Sequence, residues 1–157
     1  MESRLEYVEK HLGSLEDFIR KNSKYYLESW KSEKIRFNFA AFLFETLWFA
    51  YRKMYKSAVI LLLMNLIINL VTFLVLIKTK FFMGGTLLVL FIRIYIGFKA
   101  NDFYFNKAQK ILEKRGFEPE DGDCGTSMLG VAIIVFIAVV FQVLLDFYLG
   151  VTLYYQN

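Results

Sequence analysis

The residue types that most often carry out catalysis are scarce in this 157-residue sequence. His11 is the only histidine and Cys124 is the only cysteine. A zinc site, or a cysteine nucleophile activated by a histidine, needs such side chains in combination. A lone cysteine also excludes a disulfide within the chain. We therefore predict that the protein is not an enzyme and that it holds neither a metal ion nor a cofactor.

Two further stretches share only part of a ligand-binding pattern. Residues 116–126 read GFEPEDGDCGT, but their acids lack the spacing of a calcium-binding EF-hand loop. A solvated loop is the better interpretation. Gly84 and Gly85 open an apolar segment without the remainder of a phosphate-binding motif. A turn or a close contact between helices explains this pair better.

The polar residues inside long apolar segments need an explanation, since polar groups are costly to bury in lipid. They fall on stripes at helical spacing, such as Asn65, Asn69 and Thr72 in one segment. Hydrogen bonds between helices are the favoured interpretation, because three or four helices leave little room for a polar pathway. The polar residues assigned to the membrane interior are Glu45, Asn65, Asn69, Thr72, Arg93, Gln142 and Asp146.

The composition indicates which elements position these side chains. Hydrophobic residues make up 57% of the chain, which is too apolar for a soluble domain of this size. Residues 57–77 and 127–155 are each long enough to cross a bilayer, and residues 81–98 form a shorter span that Arg93 interrupts. We predict an all-α integral membrane protein with three full spans.

An aromatic stretch, RFNFAAFLFETLWFAYRKMYK at residues 36–56, precedes the first span. As a helix, residues 37–51 would be about 22 Å long, against a hydrocarbon core of roughly 30 Å. Dense aromatic residues favour the bilayer interface, so we predict an interfacial or re-entrant helix, with a short tilted span as the alternative. The residues assigned to the membrane interface are Trp48, Tyr51, Arg52, Lys53, Tyr55 and Lys56. The basic residues among them are predicted to lie at the lipid headgroups.

The N-terminal segment is predicted to be helical, amphipathic and cytoplasmic, with a break at Gly13 and Ser14. Its apolar face either docks a partner or the membrane surface, or packs on the protein's own membrane domain. The second interpretation is favoured, because amphipathic helices bury their apolar face by default. The residues of this face are Leu5, Val8, Leu12, Leu15 and Ile19.

Basic residues indicate how the chain is oriented. They are concentrated at residues 52–56 and 99–115, on one side of the spans, whereas Lys78 and Lys80 occupy the hairpin on the other side. The positive-inside rule then places the N-terminus in the cytoplasm and the C-terminus outside. The predicted parts are an N-terminal segment (1–34), the aromatic element (35–56), a two-span hairpin (57–100), a helical extension with an acidic loop (101–126) and a C-terminal span (127–157).

Three stretches, FIRKNSKYYLESW, RFNFAAFLFETLWFAYRKMY and GFKANDFY, resemble the bacterial family called domain of unknown function 2628. The resemblance covers roughly residues 18–112 and closes with Gly97, Ala100, Asn101 and Tyr104. It implies a small protein of the bacterial cytoplasmic membrane and implies no activity. The chain departs from the family pattern where a Gly-Pro turn is expected, at Glu45 and Thr46, and the absence of proline argues against a sharp kink there.

Depth along the helices predicts the partners of the polar groups. At about 1.5 Å of helix per residue, the membrane depths of Arg93 and Asp146 differ by about 20 Å. These two charges are therefore not expected to pair. Arg93 is predicted to reach the cytoplasmic headgroups or to meet Glu45 of the aromatic element. Gln142 is predicted to hydrogen-bond with Asn69 or Thr72.

These observations favour a non-catalytic function. We expect an accessory, assembly, regulatory or immunity-type protein that contacts another membrane protein, or a second copy of itself, within the lipid bilayer. The net charge of +4 is modest and the basic residues are spread along the chain, so a nucleic acid partner is not expected. The alternative is a component of a membrane transport or permeation system that uses the polar residues of the membrane interior.

Overall fold

The computed structural model describes residues 3–32, 34–79 and 83–156, with side chains described up to residue 148 except at 76–84. The predictions for Gly84, for the hairpin at 78–80 and for the start of the second span therefore lie partly or wholly outside the described residues. Within those ranges the chain is all-α, as predicted. Its seven helices are α1 (Arg4–Lys10), α2 (Leu12–Ile19), α3 (Ser23–Lys31), α4 (Phe39–Tyr51), α5 (Tyr55–Thr79), α6 (Met83–Lys114) and α7 (Met128–Gln156).

Two of the three predicted spans match helices that could cross a membrane by their length and composition. The segments Tyr55–Val75 of α5 and Met128–Tyr148 of α7 are long and apolar enough to cross a membrane. Only 6% and 11% of their residues are buried, unlike a core helix of a soluble protein, whose apolar residues are mostly inside. The third predicted span, residues 81–98, falls at the start of α6 and is not among the candidate spans of the described part of the chain.

The aromatic helix α4 lies at the centre of the fold and packs against all three long helices. It is kinked at Glu45, where the backbone has φ 35° and ψ −106°. The expectation that the chain is not sharply kinked here is therefore wrong. At one end of α4 the Asn38 amide donates to the Gly97 carbonyl oxygen (2.7 Å), and at the other the Tyr51 carbonyl accepts from the Ser127 amide (2.8 Å).

Both ends of α4 consequently lie toward the end of the fold where α5 and α7 begin. Its last residue is close to the first turns of α5 and α7, and its first turn is beside Gly97 in the middle of α6. Glu45 lies further along the bundle, near Asn65 of α5 and Arg93 of α6. The helix thus enters and leaves from one side and folds back at Glu45.

The three short helices α1, α2 and α3 form a small bundle with the second half of α6. Val8, Leu15 and Ile19 are buried in it, so these residues of the amphipathic face pack on the chain itself and do not form an external docking face. The predicted break at Gly13 and Ser14 is wrong. The chain leaves helical geometry earlier, at residue 11 (φ −114°, ψ 29°), before α2 begins.

Helix α6 joins the two parts of the molecule. It has 32 residues, or about 48 Å of helix, which is longer than a membrane span requires. The predicted helical extension at residues 99–115 is its second half, and the predicted loop at 116–126 follows it. One face of this extension supports the N-terminal bundle, through Ala100, Tyr104, Phe105 and Ala108.

Candidate functional site around the kinked helix

Asn101 of α6 connects the N-terminal bundle to the kinked helix. It is 5% exposed, and its Nδ2 donates to Ser29 Oγ and to the Arg36 carbonyl oxygen, each at 3.0 Å. Its Oδ1 accepts from Asn38 Nδ2 at 2.8 Å, and its carbonyl oxygen accepts from Trp30 Nε1 at 2.9 Å. One side chain and its backbone thereby hold α3, the following connector and the start of α4 against α6.

Gly97, one turn before this asparagine, allows the close approach of α4. The Phe37 ring lies directly over it, and a Cβ built on Gly97 would overlap the ring carbons. The ring also packs edge-on against Phe98, with centroids 5.0 Å apart. Glycine is needed here because the position has no room for a side chain.

The kink carries Glu45 into a small polar cluster between α4, α5 and α6. The Glu45 side chain is 4% exposed, and its Oε2 lies 3.4 Å from Arg93 Nε and 3.4 Å from Asn65 Nδ2. The predicted contact between Glu45 and Arg93 is therefore present. Glu45 Oε1 and Asn65 Oδ1 are buried and have no hydrogen-bond partner in the described part of the chain.

The backbone of Glu45 is strained. A positive φ is rare for residues other than glycine and raises the energy by about 1–3 kcal/mol. It persists because the flanking turns are held on both sides: Asn38 Oδ1 caps the helix by accepting from the Ala41 amide at 2.9 Å, and the carboxylate is held by α5 and α6. The kink occurs at the position where the family resemblance predicts a Gly-Pro turn.

A cleft of about 530 Å³ lies between α5 and α6 on the far side of this cluster. Arg93 is 45% exposed and lines it, with hydroxyl and amide groups further along. Thr72 Oγ1 donates to the Ile68 carbonyl oxygen at 2.7 Å, so it satisfies a backbone group of its own helix. The residues that line the cleft are Asn69, Thr72, Phe73, Gly85, Thr86, Val89, Leu90 and Arg93.

Arg52, at the end of α4, is buried inside the protein. It is 1% exposed and donates through Nη2 to the Lys21 carbonyl oxygen at 3.1 Å. Its guanidinium carbon lies 4.4 Å from the ring centroid of Tyr26 and 5.1 Å from that of Tyr104. The predicted position of Arg52 at the lipid headgroups is wrong, because aromatic rings attract and enclose the cation.

The neighbours of Arg52 in sequence also face inward more than the interface pattern predicts. Trp48 is buried, with its ring edge-on to Tyr104 at 6.2 Å. Lys53 donates to the carbonyl oxygens of Asp121 and Gly122 in the loop after α6, at 3.0 and 3.1 Å. Among the other residues assigned to the interface, Tyr51 is half-buried and Tyr55 and Lys56 are exposed.

Two titratable groups next to Arg52 have perturbed pKa values. Lys107 donates from Nζ to the Arg52 carbonyl oxygen at 2.8 Å. Burial, followed by the positive charge of Lys53, lowers the pKa of Lys107 to about 8. Burial raises the pKa of Tyr104 to about 12, and its hydroxyl has no partner in the described ranges. This region is a buried cationic core and not an outward-facing patch.

The histidine and the cysteine each lie in a packed environment. In the part of the chain that the structure describes, no group of three or more histidine, cysteine or acidic side chains is placed to hold an ion. His11 instead stacks on Phe117, with ring centroids 3.8 Å apart. Cys124 is buried, and burial raises the pKa of its thiol.

The family described as "Protein of unknown function (DUF2628)" matches residues 2–110 of the sequence. The chain belongs to this family. The DUF2628 region includes the N-terminal bundle, α4 and most of α6, and therefore all of the contacts of Asn101 and Glu45 described above. Comparisons with curated proteins and with solved structures give no match. Helix α7 lies beyond the DUF2628 region.

The polar residues of α7 do not join the other polar groups. Gln142 Nε2 donates to Asp146 Oδ1 at 2.9 Å within the same helix. The predicted hydrogen bond from Gln142 to Asn69 or Thr72 is wrong, because those two side chains line the cleft between α5 and α6, and α7 does not pack against α6 in the described residues. Arg93 pairs with Glu45 and not with Asp146, as the depth argument predicts.

The asparagine connection was not predicted as a site, and Arg52 was predicted at the membrane interface and not in the interior, although the sequence contains a signal for both. Gly97, Ala100, Asn101 and Tyr104 close the part of the sequence that carries the family resemblance, and the structure buries the three that have side chains. Their spacing places them on the face of α6 that meets α3 and α4. The sequence pattern does not indicate which residues these side chains contact. Asn101 contacts residues between 25 and 38, and Tyr104 contacts Arg52.

Proposed function

We propose that the chain is a multi-pass protein of a bacterial cytoplasmic membrane, with α5, the first half of α6 and α7 as its three spans. The proposal is supported by the large exposed apolar surfaces of α5 and α7, because soluble proteins rarely expose contiguous apolar surfaces of this size to water. It is also supported by the position of charged residues. The N-terminal bundle and the loop after α6, which carry most of the ion pairs, lie at the end of the fold where α5 and α7 begin.

In this arrangement α4 is a re-entrant helix. Both of its ends are at the cytoplasmic end of the spans, and its first half presents apolar side chains outward: Phe39, Leu43 and Phe44 are exposed in the isolated chain. Lipid would cover these side chains. Because α4 returns to the side from which it enters, the three spans leave the N-terminal bundle in the cytoplasm and the C-terminus outside.

We further propose that the protein acts non-catalytically, as an accessory, assembly, regulatory or immunity-type protein, through a membrane partner that packs on α7. One observation supports this most strongly. From Val135 to Tyr148 the side chains of α7 are exposed or half-buried and none is buried, yet this stretch carries the paired polar side chains of Gln142 and Asp146. Polar groups on a span that its own bundle leaves bare are typical of helices that bind another helix.

Photocrosslinking tests this proposal. A benzoylphenylalanine introduced in place of Phe136 or Phe147 on α7 should give a crosslinked protein of defined mass in native membranes. The matched control is Phe91 on α6, which is equally exposed but should meet only lipid. Asp146→Leu should weaken the α7 crosslink. An adduct of twice the chain mass would identify a second copy as the partner. The proposal fails if α7 and Phe91 both react only with lipid.

A further inference from the structure

We propose that the cleft between α5 and α6 binds a monocarboxylate with an apolar body, through the guanidinium of Arg93. The proposal goes beyond the interaction function, since it concerns a small molecule and a different face of the bundle. It rests on the geometry of Arg93, on its pairing with Glu45 and on the chemistry of the cleft walls.

The Arg93 guanidinium has N–H donors that are not used within the described part of the protein. Its Nε lies 3.4 Å from Glu45 Oε2, and its terminal Nη groups have no partner in the described part of the chain. The side chain is 45% exposed and lines the cleft. A guanidinium is planar and matches a carboxylate with two parallel hydrogen bonds. A ligand carboxylate in the cleft would therefore meet donors that the protein leaves unused.

The walls of the cleft indicate the chemistry of the rest of the ligand molecule, beyond its carboxylate. They are formed by the apolar side chains of Phe73, Val89 and Leu90 together with the polar side chains of Asn69, Thr72 and Thr86. The cleft volume of about 530 Å³ falls in the range of small-molecule sites, which are mostly apolar with a few placed polar groups. This combination fits an aromatic or short aliphatic acid better than a fully hydrated inorganic anion.

Glu45 would compete with the ligand carboxylate for the Arg93 guanidinium. It is the one acid of the described residues in contact with Arg93, and the other side chain at the cluster, Asn65, is neutral. A bound carboxylate would share the guanidinium with Glu45, and the two anions would repel each other in a medium of low dielectric. Neutralising Glu45 should therefore strengthen binding, whereas removing the positive charge of Arg93 should abolish it.

Calorimetric titration of the purified full-length protein in detergent tests the proposal, with sodium benzoate as the probe and neutral benzamide as the matched control. We expect saturable binding of benzoate at one site and none of benzamide. Glu45→Gln should tighten benzoate binding about tenfold, and Arg93→Gln should weaken it by more than about tenfold, the usual range for hydrogen bonds to charged groups. Lys56→Gln, which removes an exposed charge outside the cleft, should change nothing.

A steric variant keeps the test decisive if Arg93→Gln does not fold. Val89→Trp fills the cleft and leaves Arg93 and Glu45 in place, so it should prevent benzoate binding while the protein elutes as the wild type does in size-exclusion chromatography. The proposal is overturned if benzoate gives no saturable heat, if benzamide binds equally well, or if Val89→Trp binds benzoate as the wild type does. A crosslinked partner on α7 would be unaffected by any of these outcomes, so the two proposals fail independently.

Discussion

At the scale of single residues, the Glu45–Arg93 pair is asymmetric. Glu45 is almost fully buried, whereas Arg93 is nearly half exposed and can turn its charge away. Removing one member of a buried pair is costly when the other charge is left buried. The two single substitutions should therefore have unequal effects on stability.

We expect Arg93→Leu to lower the free energy of unfolding by roughly 3 kcal/mol, because it leaves the Glu45 carboxylate buried without a counter-ion. Glu45→Gln should cost only about 1 kcal/mol. The double variant should resemble Glu45→Gln, since its buried side chain is neutral. Denaturant unfolding in mixed micelles measures all three. Equal losses for the two single variants, or additive losses in the double variant, would contradict an ion pair in which Glu45 is the buried member.

Gly97 and Gly13 offer a matched test of close packing. A Cβ on Gly97 would overlap the Phe37 ring, whereas nothing lies within 4 Å of a Cβ on Gly13. Gly97→Ala should therefore lower stability by about 1–3 kcal/mol through overpacking. Gly13→Ala, inside α2, should be neutral or stabilising by up to about 1 kcal/mol. Thermal unfolding distinguishes them, and similar shifts for both would mean that Phe37 does not lie over Gly97.

Burial of Lys107 makes stability depend on pH in a defined direction. Its folded pKa of about 8 lies below the ordinary value of 10.5, so above pH 8 the unfolded chain binds more protons than the folded one. Stability should then rise with pH, at up to about 1.4 kcal/mol per pH unit. Thermal unfolding between pH 8 and 9 should show this rise, and Lys107→Met should remove most of it. A flat wild-type profile would contradict the burial of this amine.

At the scale of secondary-structure elements, the helices and loops were largely predictable because they depend on local patterns. Hydrophobic periodicity and length indicated α5, α7 and the extension of α6. The absence of proline wrongly argued against a kink in α4. The kink depends on tertiary contacts, because Glu45 contacts Arg93 and Asn65, which are distant in the sequence. The burial of Arg52 was missed for the same reason, since its aromatic partners Tyr26 and Tyr104 come from α3 and α6.

The junction between α3, α4 and α6 depends on Asn101. Asn101→Ala should lower stability by roughly 2–4 kcal/mol, because it leaves several buried polar groups without partners. The N-terminal bundle should also become more sensitive to protease near residue 36, where the connector is no longer held. Asn106→Ala, on the exposed face of the same helix, is the control and should change neither property. Unchanged cleavage in Asn101→Ala would show that the bundle is held by other contacts.

At the scale of the whole molecule, two parts of different character share one long helix. The DUF2628 region contains the N-terminal bundle, the kinked helix, α5 and most of α6. Among the described residues it makes the buried hydrogen bonds of Asn101 and the contacts of Glu45. Helix α7 packs against α4 and α5 of this region, and Gly130 in its first turn lies against Ala50 and Tyr55. Composition and basic-residue distribution were sufficient to predict an all-α chain with long apolar helices, but they contain no information about which residues of α7 lack a partner within the chain.

The re-entrant path of α4 is the central claim, and cysteine labelling in intact cells tests it most directly. In a Cys124→Ser background, single cysteines are introduced as Ser3→Cys, Glu118→Cys and Asn157→Cys and exposed to a maleimide that does not cross membranes. A helix that folds back at Glu45 leaves three spans, so the reagent should label Asn157→Cys alone and reach the other two only after the cells are permeabilised. Labelling of both Ser3→Cys and Asn157→Cys in intact cells, with Glu118→Cys protected, would instead mean that α4 crosses the membrane.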